Sequence, residues 1–340
     1  MVQNGTWPLI ESRYGASVRI RSRLVVAGVV SSLVLVSVAL ASDEDFDGDS
    51  ARVAAATSAR VAAKAPSARA ARPCRGTRPP ARYDHVVWIW FENHGLDAVI
   101  GSGKAPYINA IAHACGLANR YSGIGHPSLP NYIAATSGGT QGIRNNDPPK
   151  ANATGAVSIF ELAGSWKSYQ ETMPRPCALK TSGKYAVKHD PAAYYLRIRP
   201  NACARDVPLG TPSSGALASD LRRNRLPRFS FVTPDLCNSM HDCSVATGDA
   251  WLRRWLSALL SSRAYRAGKT AIFVTWDEGE GGGGNRVATI AIAPSVRRGS
   301  TTNVPLDHYS LLRTTQSMLH LRPLLGAAAR ARSMRSALHL

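Results

Sequence analysis

Acidic residues are scarce in this chain: 22 Asp and Glu stand against 41 Lys and Arg, a formal charge of +19. Such a balance argues against cationic partners and for anionic ones, whether a phosphate ester, an anionic lipid surface or a nucleic acid. The marks of a nucleic-acid module are missing. There is no zinc-finger spacing, no RNP-like aromatic signature and no basic amphipathic recognition helix, so no dedicated nucleic-acid partner is expected. No two cysteines are spaced C-x-x-C, which removes a cysteine-based metal site. The stretch Gly279 to Asn285, GEGGGGN, lacks the G-K-S/T ending of a P-loop. Charged residues make up only 19% of the chain against 44% hydrophobic ones, which excludes an intrinsically disordered protein.

What is present is enough for a packed core, since 340 residues can form one large α/β domain or two smaller ones. Residues 24–41, LVVAGVVSSLVLVSVALA, are an uncharged apolar run behind Arg19, Arg21 and Arg23. That layout is a signal peptide cleaved near Ala41 or, if uncleaved, a membrane anchor, so the protein is expected to be secreted or extracytoplasmic. Residues 42–82, in which ARVAA occurs twice, read as a low-complexity linker, leaving 83–340 as the folded domain. All six cysteines lie beyond the apolar run. An even count outside the cytoplasm suggests three disulfides. Of the 15 possible pairings, the short Cys237 to Cys243 loop makes Cys74 with Cys115 and Cys177 with Cys203 the simplest companions.

Four runs have strand character: VVWIWF (86–91), RFSFVTP (228–234), AIFVTW (271–276) and ATIAIAP (288–294). Helix-like stretches at 105–114, 249–262 and 309–319 lie between and after them. Strands interleaved with helices predict an α/β fold with a mostly parallel central sheet flanked by helices. In such sheets ligands bind beyond the strand C-termini. Three of the four runs lead into polar loops of that kind: Glu92-Asn93-His94, Asp235 and Asp277-Glu278. One such carboxylate would be an ordinary cap or turn residue; three suggest a shared site.

The segment His126-Pro127-Ser128-Leu129-Pro130-Asn131-Tyr132 adds a hydroxyl held between two prolines before the helix-like IAATSG. A serine at a helix entrance is a candidate nucleophile, and the plain alternative is a helix cap. HPSLPNY, with FEN (91–93), KHDP (188–191), TPD and MHDC (233–243), TWDEGEGG (275–282) and DHYSLLRT (307–314), resembles the bacterial phosphoesterase family over about residues 83–325. That family, in the alkaline phosphatase superfamily, includes acid phosphatases, phosphatidylinositol 3-phosphatases and phospholipase C enzymes. Ser128 to Asn131 also resembles the Thr-x-Pro-Asn nucleophile motif of nucleotide pyrophosphatases.

The resemblance implies an alkaline-phosphatase-like fold and a metal-dependent phosphomonoesterase that works through a phosphoserine. A phospholipase C-type phosphodiesterase and a binding protein with an inactive fold are the rivals. It implies a metal shell of Glu92, Asn93, Asp277 and Glu278 with Ser128, oxygen ligands that suit one or two divalent cations. It sets His126, His189, Asp235, His241 and His308 on the other side of the phosphoryl group: in two-metal relatives the positions of Asp235, His241 and His308 hold a second ion, and in one-metal relatives the histidines bind phosphate or protonate the leaving group. Asn131 takes the place of the motif asparagine. Glu92 in place of the usual Asp, and Asp277-Glu278 in place of the usual Asp-His, favour the one-metal branch. The implied substrate is a phosphate monoester or phospholipid, with peripheral contact to an anionic membrane surface as a further expectation.

Overall fold

The computed structural model describes residues 72–280 and 284–340. The expected export segment 1–41, and the linker up to residue 71, lie outside the described residues. From residue 72 the chain already belongs to the domain, eleven positions before the expected start at 83. Cys74 is buried and bonded to Cys115, the Arg75 and Thr77 N–H groups donate to Pro294 O, and Tyr265 OH donates to Pro73 O. A composition rich in Ala, Arg and Pro conceals these backbone ties, which carry no hydrophobic period.

The sheet contains β1 (His85–Phe91), β2 (Gly116–Ser122), β3 (Trp166–Gln170), β4 (Asp206–Pro208), β5 (Phe229–Thr233), β6 (Thr270–Trp276), β7 (Arg286–Ile292), β8 (Ser300–Thr302) and β9 (Leu306–Asp307). Its order is β4-β3-β5-β1-β6-β7-β2-β8, with β9 also paired to β2. Every pairing is parallel except those of β7 with β6 and β2. The expected α/β architecture is therefore the one observed. Among the described residues the helices of nine residues or more are α1 (Pro106–Ala114), α2 (Ser128–Ser137), α3 (Val245–Ser261) and α4 (His308–Met318).

β1 is central and apolar on both faces. Its period of two sends Trp88 and Trp90 one way, where Trp88 donates to Thr315 of α4 and Trp90 packs on Tyr132 of α2. Phe91 points the other way, against Trp251 of α3. The sheet is thus covered on both sides. The predicted disulfides Cys74–Cys115, Cys177–Cys203 and Cys237–Cys243 are the ones formed.

Two buried carboxyls far along the sheet, Asp190 and Asp206, lie side by side. Asp190 accepts from Ser168 Oγ (3.1 Å) and Tyr185 OH (2.8 Å), whereas both Asp206 oxygens lack a donor among the described residues. A proton held between the two carboxyls is the remaining donor. Burial raises both, Asp190 to about 6 and Asp206, with the Asp190 charge adding to it, well above the usual carboxylate range. A carboxyl raised in the folded state stabilises the fold below its ordinary pKa, and that contribution is lost as pH rises through the folded value. About 3 kcal/mol, or roughly 5–10 °C in Tm, is expected to disappear between pH 4 and pH 8. Asp206→Asn should flatten that slope; a melting series in which parent and variant lose stability equally would assign it elsewhere.

Candidate active site

Because β1, β2, β5, β6 and β9 run parallel, their C-terminal ends share one edge. The antiparallel β7 brings its N-terminal end to that edge. Glu92 follows β1, the Ser128 loop follows β2, Asp235 follows β5, Asp277 and Glu278 follow β6, and His308 follows β9. The loop after β2 is pressed against the turn after β6: Gly123 N–H donates to Asn285 O, and a Cβ on Gly123 would come within 2.7 Å of Asp277 O. Only glycine permits that approach.

Ser128 is the first residue of α2, but it caps nothing. Pro127 holds the cap position, and the Leu129 N–H is satisfied by Asn146 Oδ1 at 2.9 Å. The Ser128 hydroxyl instead faces Glu92 Oε2 at 3.2 Å and Glu278 Oε1 at 3.4 Å, and it is buried. Asn131 fixes the loop: its Oδ1 accepts from the Ile124 and Gly125 N–H groups, and its Nδ2 donates to Gly125 O and to Glu278 Oε2. His126 stands at the rim, its Nδ1 3.0 Å from Glu278 Oε2, with more than half of its side chain exposed.

Glu92, Asp277 and Glu278 crowd together. Burial lifts all three, with the charges of Glu92 on Asp277 and of Asp277 on Glu278 adding to it; Glu278 reaches about 8. Asp277 Oδ1 accepts from the Asn93 N–H at 3.0 Å. Asp277 Oδ2 and Asn93 Oδ1 are buried with no donor among the described residues. Buried acceptors without donors are costly, and a cation would satisfy them. This all-oxygen set therefore fits a hard divalent ion.

Facing it, His189 Nε2 lies 3.0 Å from Glu92 Oε2 without the alignment of a hydrogen bond. Burial, reinforced by Lys188 and His241, holds the His189 imidazole well below its ordinary pKa. The contact is therefore with a neutral ring and is not an ion pair. His241 is half-buried beside it, the two rings 5.5 Å apart. Its Nδ1 meets Asp242 Oδ1 at 2.6 Å, and Lys188 Nζ lies 3.2 Å from its Nε2. Glu92, His189 and His241 each offer a ligand atom within 4.8 Å of the others, a second group that could hold an ion.

Two expected positions differ. His308 is fully buried, with Nε2 donating to Asp277 O at 2.6 Å and Nδ1 receiving Tyr121 OH at 2.9 Å. Neither nitrogen is left for a leaving group or a metal, and burial lowers its pKa to about 4, so it positions Asp277 as a neutral ring. Asp235 is not brought to the Glu92–His189–His241 group. Its Oδ1 accepts from the Cys237 and Asn238 N–H groups, the usual occupation of a carboxylate opening a tight loop. Tyr132 was not expected in the site. Tyr132 OH donates to Glu92 Oε1 and its ring stacks on His189. The helical spacing from Ser128 to Tyr132 was a usable signal, because residues four apart share a helix face.

Fold and site together define a class, the hydrolases of phosphoric esters built on the alkaline phosphatase fold. A solved member of that superfamily from Vibrio parahaemolyticus superposes with a TM-score of 0.52 at 10% identity, covering 78% of this chain and 73% of that one. A sequence profile described as the Phosphoesterase family matches residues 102–322, and the chain belongs to that family. It is 32% identical over 255 residues to the phosphatidylinositol-3-phosphatase of Mycobacterium tuberculosis, covering 73% of this chain and 81% of that protein. It is 28% identical over 243 residues to a phosphate-repressible acid phosphatase of Penicillium chrysogenum, covering 68% of this chain but 57% of that longer protein.

Proposed function

We propose that the protein is an exported, metal-dependent phosphomonoesterase that forms a phosphoserine at Ser128. The observation that carries this reading is the buried Ser128 hydroxyl directed at Glu92 and Glu278 instead of at the backbone of its own helix. Glu92, Asn93, Asp277, Glu278 and Ser128 would hold a divalent cation, which when bound favours the serine alkoxide and offsets the charge of the phosphoryl oxygens. The Ser128 oxygen attacks phosphorus in line, the ester oxygen leaves from the opposite side, and the serine proton passes to the carboxylates it faces. His241, its Nδ1 tied to Asp242, protonates the departing alkoxide from Nε2 once Lys188, which lies 3.2 Å from that nitrogen, turns with His189 to the phosphoryl oxygens. Water then cleaves the phosphoserine with a second inversion. The acid phosphatase and phosphatidylinositol-3-phosphatase relatives support a monoester substrate. Assays with p-nitrophenyl phosphate, phosphatidylinositol 3-phosphate and phosphatidylcholine test it: cleavage of phosphatidylcholine alone would make the protein a phospholipase C instead.

The Cys237–Cys243 bond closes the loop that carries His241. So short a loop adds less than the roughly 3 kcal/mol of a 15-residue one, so its effect on stability should be modest. Misplacing a catalytic group by about 1 Å can cost on the order of 100-fold in rate. Cys237→Ala with Cys243→Ala is therefore expected to reduce kcat/KM by about tenfold or more while moving Tm by only a few degrees. Unchanged kinetics would leave the bond only a protective role.

A further inference from the structure

The excess of arginine is not spread evenly. The edge opposite the active site, where the parallel strands begin, gathers exposed cations from separate connections: Arg82 before β1, Arg225 before β5, Lys269 before β6, Arg297 after β7 and Arg322 after α4. Backbone contacts make these one surface. The Asp84 and His85 N–H groups donate to Lys269 O, Val86 N–H to Arg228 O, Tyr83 N–H to Met318 O, and Gly76 N–H to Val296 O. Arg222, Arg263 and Arg266 line a cleft of about 310 Å³ in the same region. Among the described residues none of these eight side chains forms an ion pair. Glu92, Asp235, Asp277 and Glu278 lie instead at the catalytic edge, whereas Asp84, just before β1, is an acid beside the basic pole. The length of β1 sets the two edges about 20 Å apart.

We infer that this basic pole docks on an anionic phospholipid surface, so that the catalytic edge faces away from the lipid that holds the protein. The charge is complementary to such a surface, and each Lys or Arg at it adds about fivefold to partitioning. The chain also enters the domain at this pole, and its sequence carries the apolar run 24–41 further upstream. A single-stranded nucleic acid fits less well, since base stacking needs exposed aromatics and the exposed large hydrophobic residues of the described structure are Leu179 and Leu196.

The test is co-sedimentation of the full chain with vesicles of phosphatidylcholine alone and with added phosphatidylglycerol, the neutral vesicles measuring what the apolar run contributes. Binding should be stronger to the anionic vesicles and fall steeply with salt. Arg225→Glu/Arg263→Glu/Lys269→Glu should lose about 100-fold of that difference. The equally charged change Lys104→Glu/Arg120→Glu/Lys150→Glu should lose less than threefold. Melting curves of both variants must match the parent, and on docked parent protein phenylglyoxal should spare Arg225 and Arg263 but modify Arg120 and Arg144. Equal losses in the two variants, no preference for anionic vesicles, pole-dependent binding confined to duplex DNA, or protection of Arg120 in place of Arg225 would each overturn the inference.

Discussion

Ser128→Ala is expected to lower kcat by at least about 10³-fold while leaving the fold intact, because the proposed covalent intermediate forms on its hydroxyl. The hydroxyl bonds to Glu92 and Glu278, and its removal opens no cavity larger than one oxygen. Stability should fall by no more than about 1–3 kcal/mol, since buried Glu92 and Glu278 lose a donor they share but no packing is lost. Rapid quenching with a phosphorus-labelled monoester should label the parent on Ser128 and leave the variant unlabelled. A variant within tenfold of the parent, or label on another residue, would remove Ser128 from the reaction.

Stripping divalent ions with a chelator should abolish turnover, the second large effect, and Asp277→Asn should weaken rebinding by the added ion. A readout independent of activity is available. A cation that binds only the folded state at 100 times its Kd stabilises by about 2.7 kcal/mol, so Tm should climb with added metal in the parent and climb less in Asp277→Asn. The sign of the pH dependence follows from the site. Without a cation Glu278 sits at about 8 and Asp277 well above its ordinary range, so binding displaces protons and weakens as pH falls. A fully active, verified metal-free protein whose Tm ignores added metal would rule out the oxygen shell.

The strands that the sequence reveals are those buried on both faces: β1, β5, β6 and β7 are nearly continuous β-branched and aromatic runs. β2, with Asn119 and Arg120 at its centre, and β3, with Lys167 and Gln170, carry too many polar groups to stand out. Their places are set by hydrogen bonding to distant neighbours. In the site, Glu92, Ser128, Asp277 and Glu278 announce themselves because carboxylates directly after buried strands and a serine between prolines are chemically unusual. His308 misleads for the opposite reason. Its motif is visible, but whether a histidine nitrogen is free depends on Tyr121 and the Asp277 carbonyl, which only the folded chain brings to it. Tyr132 escapes notice because, in sequence, an aromatic on a helix reads as core.

The pairing of β2 has a consequence for the order in which the nascent chain can become an enzyme. Among the described residues β2 bonds to β7, β8 and β9 and to no strand made before it or soon after it: Gly116 lies opposite Ala291, and Ser122 opposite Asp307. The Ser128 loop between β2 and α2 can thus be held in place only once nearly the whole domain has been synthesised. Contacts of such separation close slowly, and the strand edge stays open to wrong partners meanwhile. A ribosome-bound fragment ending before residue 286 could carry Ser128, Glu92, Asp277 and Glu278 and still lack the strand that fixes the serine. Activity should therefore switch on abruptly in a series of C-terminal truncations and not rise by degrees, which confines hydrolysis to completed molecules.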